Sequence, residues 1–221
     1  MERKTKVIKG PEEILILEDL LPEQLENDII DRICHNPNFP WFMIKKISHN
    51  FFYEDNSRPE YIDPMITDDV GFYHSVTEFG KINSAHYDFF KTILYFMAHE
   101  INVTIKDIIR IRLRYTHTVK NHTEFKYAAP HVDFEEIKEN YKTFIYYVDD
   151  SDGDTYLFDK LFDKSKETYD PVVKEPLKTI LQYTPKKGHA IYFNGHRYHS
   201  GNYPVNYSSR IMINFDFTER N

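Results

Sequence analysis

Three short pieces of this chain carry residue types that do chemistry: Pro130-His131-Val132-Asp133, His199 and Arg210. On an extended strand, side chains alternate faces with period two, so His131 and Asp133 point the same way. One strand then offers an imidazole and a carboxylate to a single metal ion. A second imidazole from another strand completes a set of two His and one carboxylate. That donor set holds Fe(II) on one face and leaves coordination positions open for oxygen and substrate.

The second imidazole has two candidates, His196 and His199. His199 fits better, because it follows the apolar strand Ala190-Ile191-Tyr192-Phe193 and the turn Asn194-Gly195. His196 falls in that turn and reads as a histidine of the surface or pocket rim. Ser200-Gly201-Asn202-Tyr203-Pro204 is a turn-rich connector into the last strand. If the strands around His199 and Arg210 pair antiparallel, these two residues lie near one another across a hairpin. In that last strand Arg210, Met212, Asn214 and Asp216 share one face, and Ile211, Ile213, Phe215 and Phe217 share the other. An inward guanidinium needs an anionic partner, since a buried unpaired charge is costly. The partner is either a carboxylate-bearing ligand or an acid of the chain itself, and both readings stand at this point.

The elements that must position these residues are mostly strands. The chain has 221 residues, 41% hydrophobic and 16% aromatic, enough to bury a sizeable core in one domain. Ile14 to Leu17 reads as a buried strand. Leu21-Pro22-Glu23 opens a helix whose stripe is Leu25, Ile29, Ile30 and Ile33. Residues 36–80 read as irregular, broken by Pro37, Pro40, Pro59 and Pro64, and rich in aromatics. A helix is expected over 84–101, with Tyr87, Phe90, Leu94 and Met97 on one face. Ile109, Ile111, Leu113 and Tyr115 alternate with Arg110, Arg112 and Arg114, the pattern of a half-buried strand. Further strands are expected near 131–134, 143–148, 154–158, 178–183, 189–193 and 209–217, with a charged surface excursion at 159–176. Helices first and strands after predict a β-rich α+β chain: a jelly roll supported by N-terminal helices on one face.

Charge and composition bound the partners. A net charge of −7 disfavours a nucleic-acid surface. Cys34 is the one cysteine, which excludes an internal disulfide and fits a reducing compartment. No apolar run reaches the roughly 20 residues of a membrane span, and the basic start lacks a signal-peptide core. A cytoplasmic protein is expected.

The order His131-Val132-Asp133, then His199-Ser200-Gly201, then Arg210 resembles the 2-oxoglutarate/Fe(II)-dependent dioxygenases. Phe144-Ile145-Tyr146-Tyr147-Val148 with Gly153-Asp154-Thr155-Tyr156-Leu157-Phe158 is similar to the strand and turn after that motif in the prolyl-4-hydroxylase-like branch. Pro185 to Phe193 resembles the strand before the distal His, and Glu18 to Glu23 the opening strand and helix. The likeness is greatest to small oxygenases of phages and marine microbes, which would place the chain in a host cytoplasm. It spans most of the chain and implies a double-stranded β-helix, with a helical and loop-rich part at about 1–105 and a jelly-roll core at about 106–217.

The resemblance implies Fe(II) held by His131, Asp133 and His199, with 2-oxoglutarate as cosubstrate and O2 as oxidant. It implies that Arg210 binds the distal carboxylate. Some relatives carry a Ser two residues after this Arg; here Met212 stands there, so another hydroxyl must serve. Tyr147, by family position, and Tyr115, by the parity of its strand, are the candidates, each with core packing as its alternative. The expected reaction is hydroxylation of a small molecule or peptide, a prolyl or other amino-acid residue, with 2-oxoglutarate converted to succinate. A metal-binding jelly roll without oxidation chemistry and a nucleic-acid demethylase of the same superfamily are the competing readings. The aromatic segment 38–75 is expected to be either a lid, with Trp41, Phe72 and Tyr127 facing substrate, or a packed cover for the jelly roll.

Overall fold

A computed structural model describes residues 5–44, 71–118, 127–128, 130–137, 139–165 and 177–220. In chain order the elements are β1 (Lys6–Lys9), β2 (Leu15–Glu18), α1 (Glu23–Ile33), β3 (Phe42–Ile44), β4 (Gly71–Glu78), β5 (Lys81–Ile82) and α2 (Tyr87–Glu100). There follow β6 (Ile105–His117), β7 (Tyr141–Tyr147), β8 (Thr155–Leu161), β9 (Thr179–Tyr183), β10 (Ala190–Asn194), β11 (Arg197–Gly201) and β12 (Ser209–Glu219).

The strands form two antiparallel sheets. The large one runs β1-β2-β10-β7-β12-β6-β4-β3, with β5 on β4, and the small one runs β11-β8-β9. From β6 onward the chain alternates between them. β6 lies in the large sheet, and His131 bridges to His199 at the edge of the small one. β7 returns to the large sheet, β8 and β9 lie in the small, β10 in the large, β11 in the small and β12 in the large. This winding of two facing sheets is the double-stranded β-helix.

The large sheet is covered on both faces. Its outer face takes the helices: Phe90, Ile93, Leu94 and Met97 of α2 and Ile29 and Ile33 of α1 pack with Ile111, Leu113, Ile213 and Phe215. Inside the barrel, Ile145 and Tyr147 meet Leu157 of the small sheet and Ile191 and Phe193 of β10. Tyr127, Val132, Tyr156, Phe158 and Tyr198 form a third cluster on the small sheet.

Several expectations are corrected here. The span 36–80 is not irregular throughout, since β3 and β4 extend the large sheet beyond β6. Residues 45–70, the middle of the expected lid, lie outside the described residues. β6 is half-buried as expected at Arg112 and Arg114, but its arginine side turns inward, and Arg110 is buried against Asp133, Phe134 and Asp216. His199 and Arg210 are not hairpin neighbours: β11 pairs with β8, whereas β12 pairs with β6 and β7. They face the same cavity from opposite sheets. No described helix is long and apolar enough to cross a membrane.

Candidate metal and 2-oxoglutarate site

His131, Asp133 and His199 come together inside the barrel, their candidate ligand atoms all within 4.8 Å of one another. The backbone explains how. His131 and His199 exchange both hydrogen bonds of an antiparallel pair, each N–H to the other's C=O at 2.9 Å. That pairing puts the two rings on one side of the small sheet, with centroids 4.6 Å apart. Asp133 follows two residues after His131, on the same side.

The protonation pattern suits a metal. His199 Nδ1 lies 3.1 Å from the Arg197 carbonyl, which only accepts, so Nδ1 bears the proton and donates it. The lone pair is then on Nε2, which faces Asp133 Oδ2 at 3.6 Å. A backbone acceptor that fixes the outer nitrogen is the usual second partner of a metal-binding His.

Asp133 sits beside a buried guanidinium. Arg110 Nη2 is 2.8 Å from Asp133 Oδ2 and 2.7 Å from Asp216 Oδ2, and Arg110 Nε donates to Asp216 Oδ2 at 2.8 Å. Tyr141 and Thr143 hydroxyls donate to Asp216 Oδ1, each at 2.8 Å. Phe134 lies under the guanidinium, 4.5 Å from its carbon. Burial alone would raise the Asp133 pKa, but Arg110, then His199 and His131, hold it well below the usual carboxylate range. Asp133 Oδ2 is buried and receives no aligned hydrogen bond, since the Arg110 Nη2 contact is close but off line. A buried anionic oxygen with unused lone pairs, beside two imidazoles, fits a divalent cation.

Arg210 stands in the same cavity, at the other end of the inward face of β12. It is 4% exposed. Its Nη2 donates to Thr155 Oγ1 at 2.7 Å, and Tyr147 OH donates to the same oxygen at 2.8 Å. Among the described residues no carboxylate pairs with Arg210, and its Nε is buried without a partner. Burial lowers its pKa despite the nearby Tyr147 and Asp149. Two glycines make room for it. A Cβ on Gly153 would lie 2.8 Å from Arg210 Cδ, and one on Gly201 would lie 3.3 Å from Nη1. Arg114, Ile145, Ser200, Met212 and Asn214 also line the cavity.

The other expected residues fall differently. Tyr147 reaches Arg210 through Thr155 and does not itself line the cavity. Tyr115 is on the opposite face of β6, where its ring meets Trp41 at 6.0 Å and Phe72 at 5.7 Å. It cannot assist Arg210, because only even-numbered residues of β6 face inward at that end. Trp41 and Phe72 therefore belong to the aromatic packing on the outer face, and Trp41 Nε1 is tied to the Ile33 carbonyl at 3.2 Å. Tyr127 packs on Tyr156 and Phe158, with centroids 4.9 and 5.0 Å away. None of these three is among the residues lining the cavity. Sequence reasoning missed Thr155, Arg110 and Asp216. The last two carried a signal, since Asp216 shares the face of Arg210 and sits directly opposite Arg110.

No family model and no curated protein sequence matches the chain. Solved structures do match in fold. A prolyl-4-hydroxylase of Pseudomonas putida is 9% identical, covering 94% of this chain and 93% of its own, at TM-score 0.51. The non-haem, α-ketoglutarate-dependent carbocyclase SnoK of nogalamycin biosynthesis is 8% identical, covering 92% and 78%, at TM-score 0.59. A prolyl hydroxylase of Trichoplax adhaerens, in complex with a peptide fragment of hypoxia inducible factor, is 10% identical, covering 93% and 83%, at TM-score 0.53. At these identities the likeness is one of fold: the chain is a double-stranded β-helix of the kind found in 2-oxoglutarate/Fe(II) oxygenases, prolyl hydroxylases among them.

Proposed function

We propose that this chain is an Fe(II)- and 2-oxoglutarate-dependent dioxygenase, a single catalytic domain over 1–221 acting in the cytoplasm. The observation that carries the reading is Arg210. A guanidinium buried in the same cavity as a His-Asp-His cluster, with no carboxylate among the described residues to pair it, requires an anion to enter from outside. A dicarboxylate long enough to reach from Arg210 to the metal cluster meets that requirement.

Fe(II) bound by His131, Asp133 and His199 would supply, with 2-oxoglutarate and O2, the oxidative decarboxylation to succinate and CO2 coupled to oxidation of a substrate C–H bond. The residues of the chain set the conditions. The Arg197 carbonyl keeps the His199 lone pair on Nε2. Arg110 keeps Asp133 ionised, so the ligand set brings one negative charge. Arg210 offers its fork to the distal carboxylate, as planar guanidinium geometry favours. Thr155 supplies the hydroxyl that Met212 lacks. Because its oxygen accepts from both Arg210 and Tyr147, its own proton is free to be donated to the ligand. Ile145 and Met212 give the cosubstrate's methylene carbons an apolar wall. For substrate, an amino-acid residue within a peptide is the class that the prolyl hydroxylases of this fold suggest.

The test is succinate formation from 2-oxoglutarate in air with Fe(II). The wild type is expected to form succinate, and Asp133→Ala and Arg210→Ala are expected to lose it. A protein that binds metal yet forms no succinate with any amino acid or peptide offered would be a binding module, and the proposal would fall.

A further inference from the structure

Asp216 lies behind the candidate ligand Asp133, and nothing in the proposed reaction uses it directly. It is 0% exposed, and four donor contacts from three side chains surround its two oxygens. Arg110 is shared between two carboxylates, but unequally. Asp216 takes the aligned Nε hydrogen bond, whereas Asp133 receives only the off-line contact of Nη2. A charged fork beside two anions turns toward the one that is better placed to accept it. Tyr141 and Thr143, which reach Asp216 from β7, hold that acceptor in place.

We propose that Asp216 is a positioning residue for the metal, acting through Arg110, an inference that rests on the metal-binding role given above to Asp133. By holding the Arg110 fork, Asp216 leaves the lone pairs of Asp133 to the cation. Without Asp216 the guanidinium pairs with Asp133 instead and competes with the metal for the same oxygen. Outer partners orient ligating carboxylates, and their loss weakens metal binding by about 10- to 100-fold.

Calorimetric titration of the full chain with Mn(II), without cosubstrate or oxygen, tests this. Asp216→Asn is expected to weaken Mn(II) binding by about 10- to 100-fold. Arg110→Met/Asp216→Asn, which removes the competitor together with its holder, is expected to recover most of that loss. Thr143→Val, a milder change that removes one donor to Asp216, is expected to shift the affinity the same way by less, and it serves if Asp216→Asn does not fold. If Asp216→Asn and Thr143→Val lower the melting temperature while Mn(II) affinity stays at the wild-type value, the role is structural and the inference is overturned. A double variant that binds Mn(II) more weakly than Asp216→Asn also overturns it. Failure of the wild type itself to bind Mn(II) would instead defeat the proposed metal site.

Discussion

Gly153→Ala tests how tightly the Arg210 pocket is built. A Cβ at residue 153 would lie 2.8 Å from Arg210 Cδ, 2.8 Å from the Asn202 carbonyl oxygen and 3.0 Å from the Pro204 nitrogen. Two of these three are backbone, and that backbone is anchored. Asn202 N–H donates to the Asp154 carbonyl at 2.8 Å, and Asp152 accepts from the N–H groups of Val205 and Asn206 at 2.9 and 2.7 Å. The Arg210 stem is therefore the part that gives, and its fork leaves Thr155. Overpacking of this kind costs about 1–3 kcal/mol of stability. A misplaced fork also forfeits one charge-assisted hydrogen bond to the ligand, about 1.5–3 kcal/mol, which is roughly 10- to 100-fold in affinity. The assay is calorimetric titration of 2-oxoglutarate into Mn(II)-loaded protein. The expected result is weaker 2-oxoglutarate binding with Mn(II) affinity unchanged. A lower melting temperature with unchanged 2-oxoglutarate affinity would refute the placement of the ligand beside Arg210.

Three further outcomes follow from the same geometry. Thr155→Val removes the oxygen that accepts from both Arg210 and Tyr147; a loss of about 1–2 kcal/mol should appear as weaker 2-oxoglutarate binding in the same titration. Trp41→Ala opens the packing with Phe39 and Tyr115 and is expected to lower stability to urea by about 2–3 kcal/mol while leaving the succinate formed per 2-oxoglutarate consumed unchanged; uncoupled turnover would restore a substrate-facing role for the outer aromatics. His74 is 2% exposed between the Pro40 carbonyl and Ser84 Oγ, and burial lowers its pKa. Its neutral form is the folded one, so its contribution is complete above about pH 6.5 and is lost as pH falls below that value. Urea unfolding of His74→Gln between pH 7.5 and 5 should accordingly show a shallower acid decline than the wild type, and an equally steep decline would count against this.

What could be read from sequence divides along a physical line. The parity of β12 and most strand positions rest on local rules, the period-two alternation and the turn residues, and the folded chain agrees with them; residues 131–134, expected as a strand, make only a single bridge at His131, yet His131, Asp133 and His199 do come together. Which face of β6 is the interior is not a local property. An alternation of Arg with Ile and Leu looks like one wet and one dry face, whereas in the folded chain the arginine side faces the cavity, where Arg110 meets Asp133 and Asp216 and Arg114 lines the wall. Tyr115 was misplaced for that reason. Aromatics near the first prolines have the same ambiguity: Trp41 and Phe72 fill the outer face of the large sheet as readily as they would line a lid. His199 and Arg210 line one cavity, but from opposite sheets rather than across a hairpin. Thr155 was hidden because a hydroxyl that backs a buried cation has no motif of its own until the cation is placed.

The central claim is that Arg210 and the His131–Asp133–His199 cluster serve one ligand, bridged between a cation and a guanidinium. Titration of 2-oxoglutarate into the protein with and without Mn(II) tests it most directly. Strong binding that needs the metal, and that Arg210→Ala weakens while Mn(II) still binds, is the predicted result. Binding of 2-oxoglutarate that is the same with and without metal, or indifferent to Arg210, would contradict it.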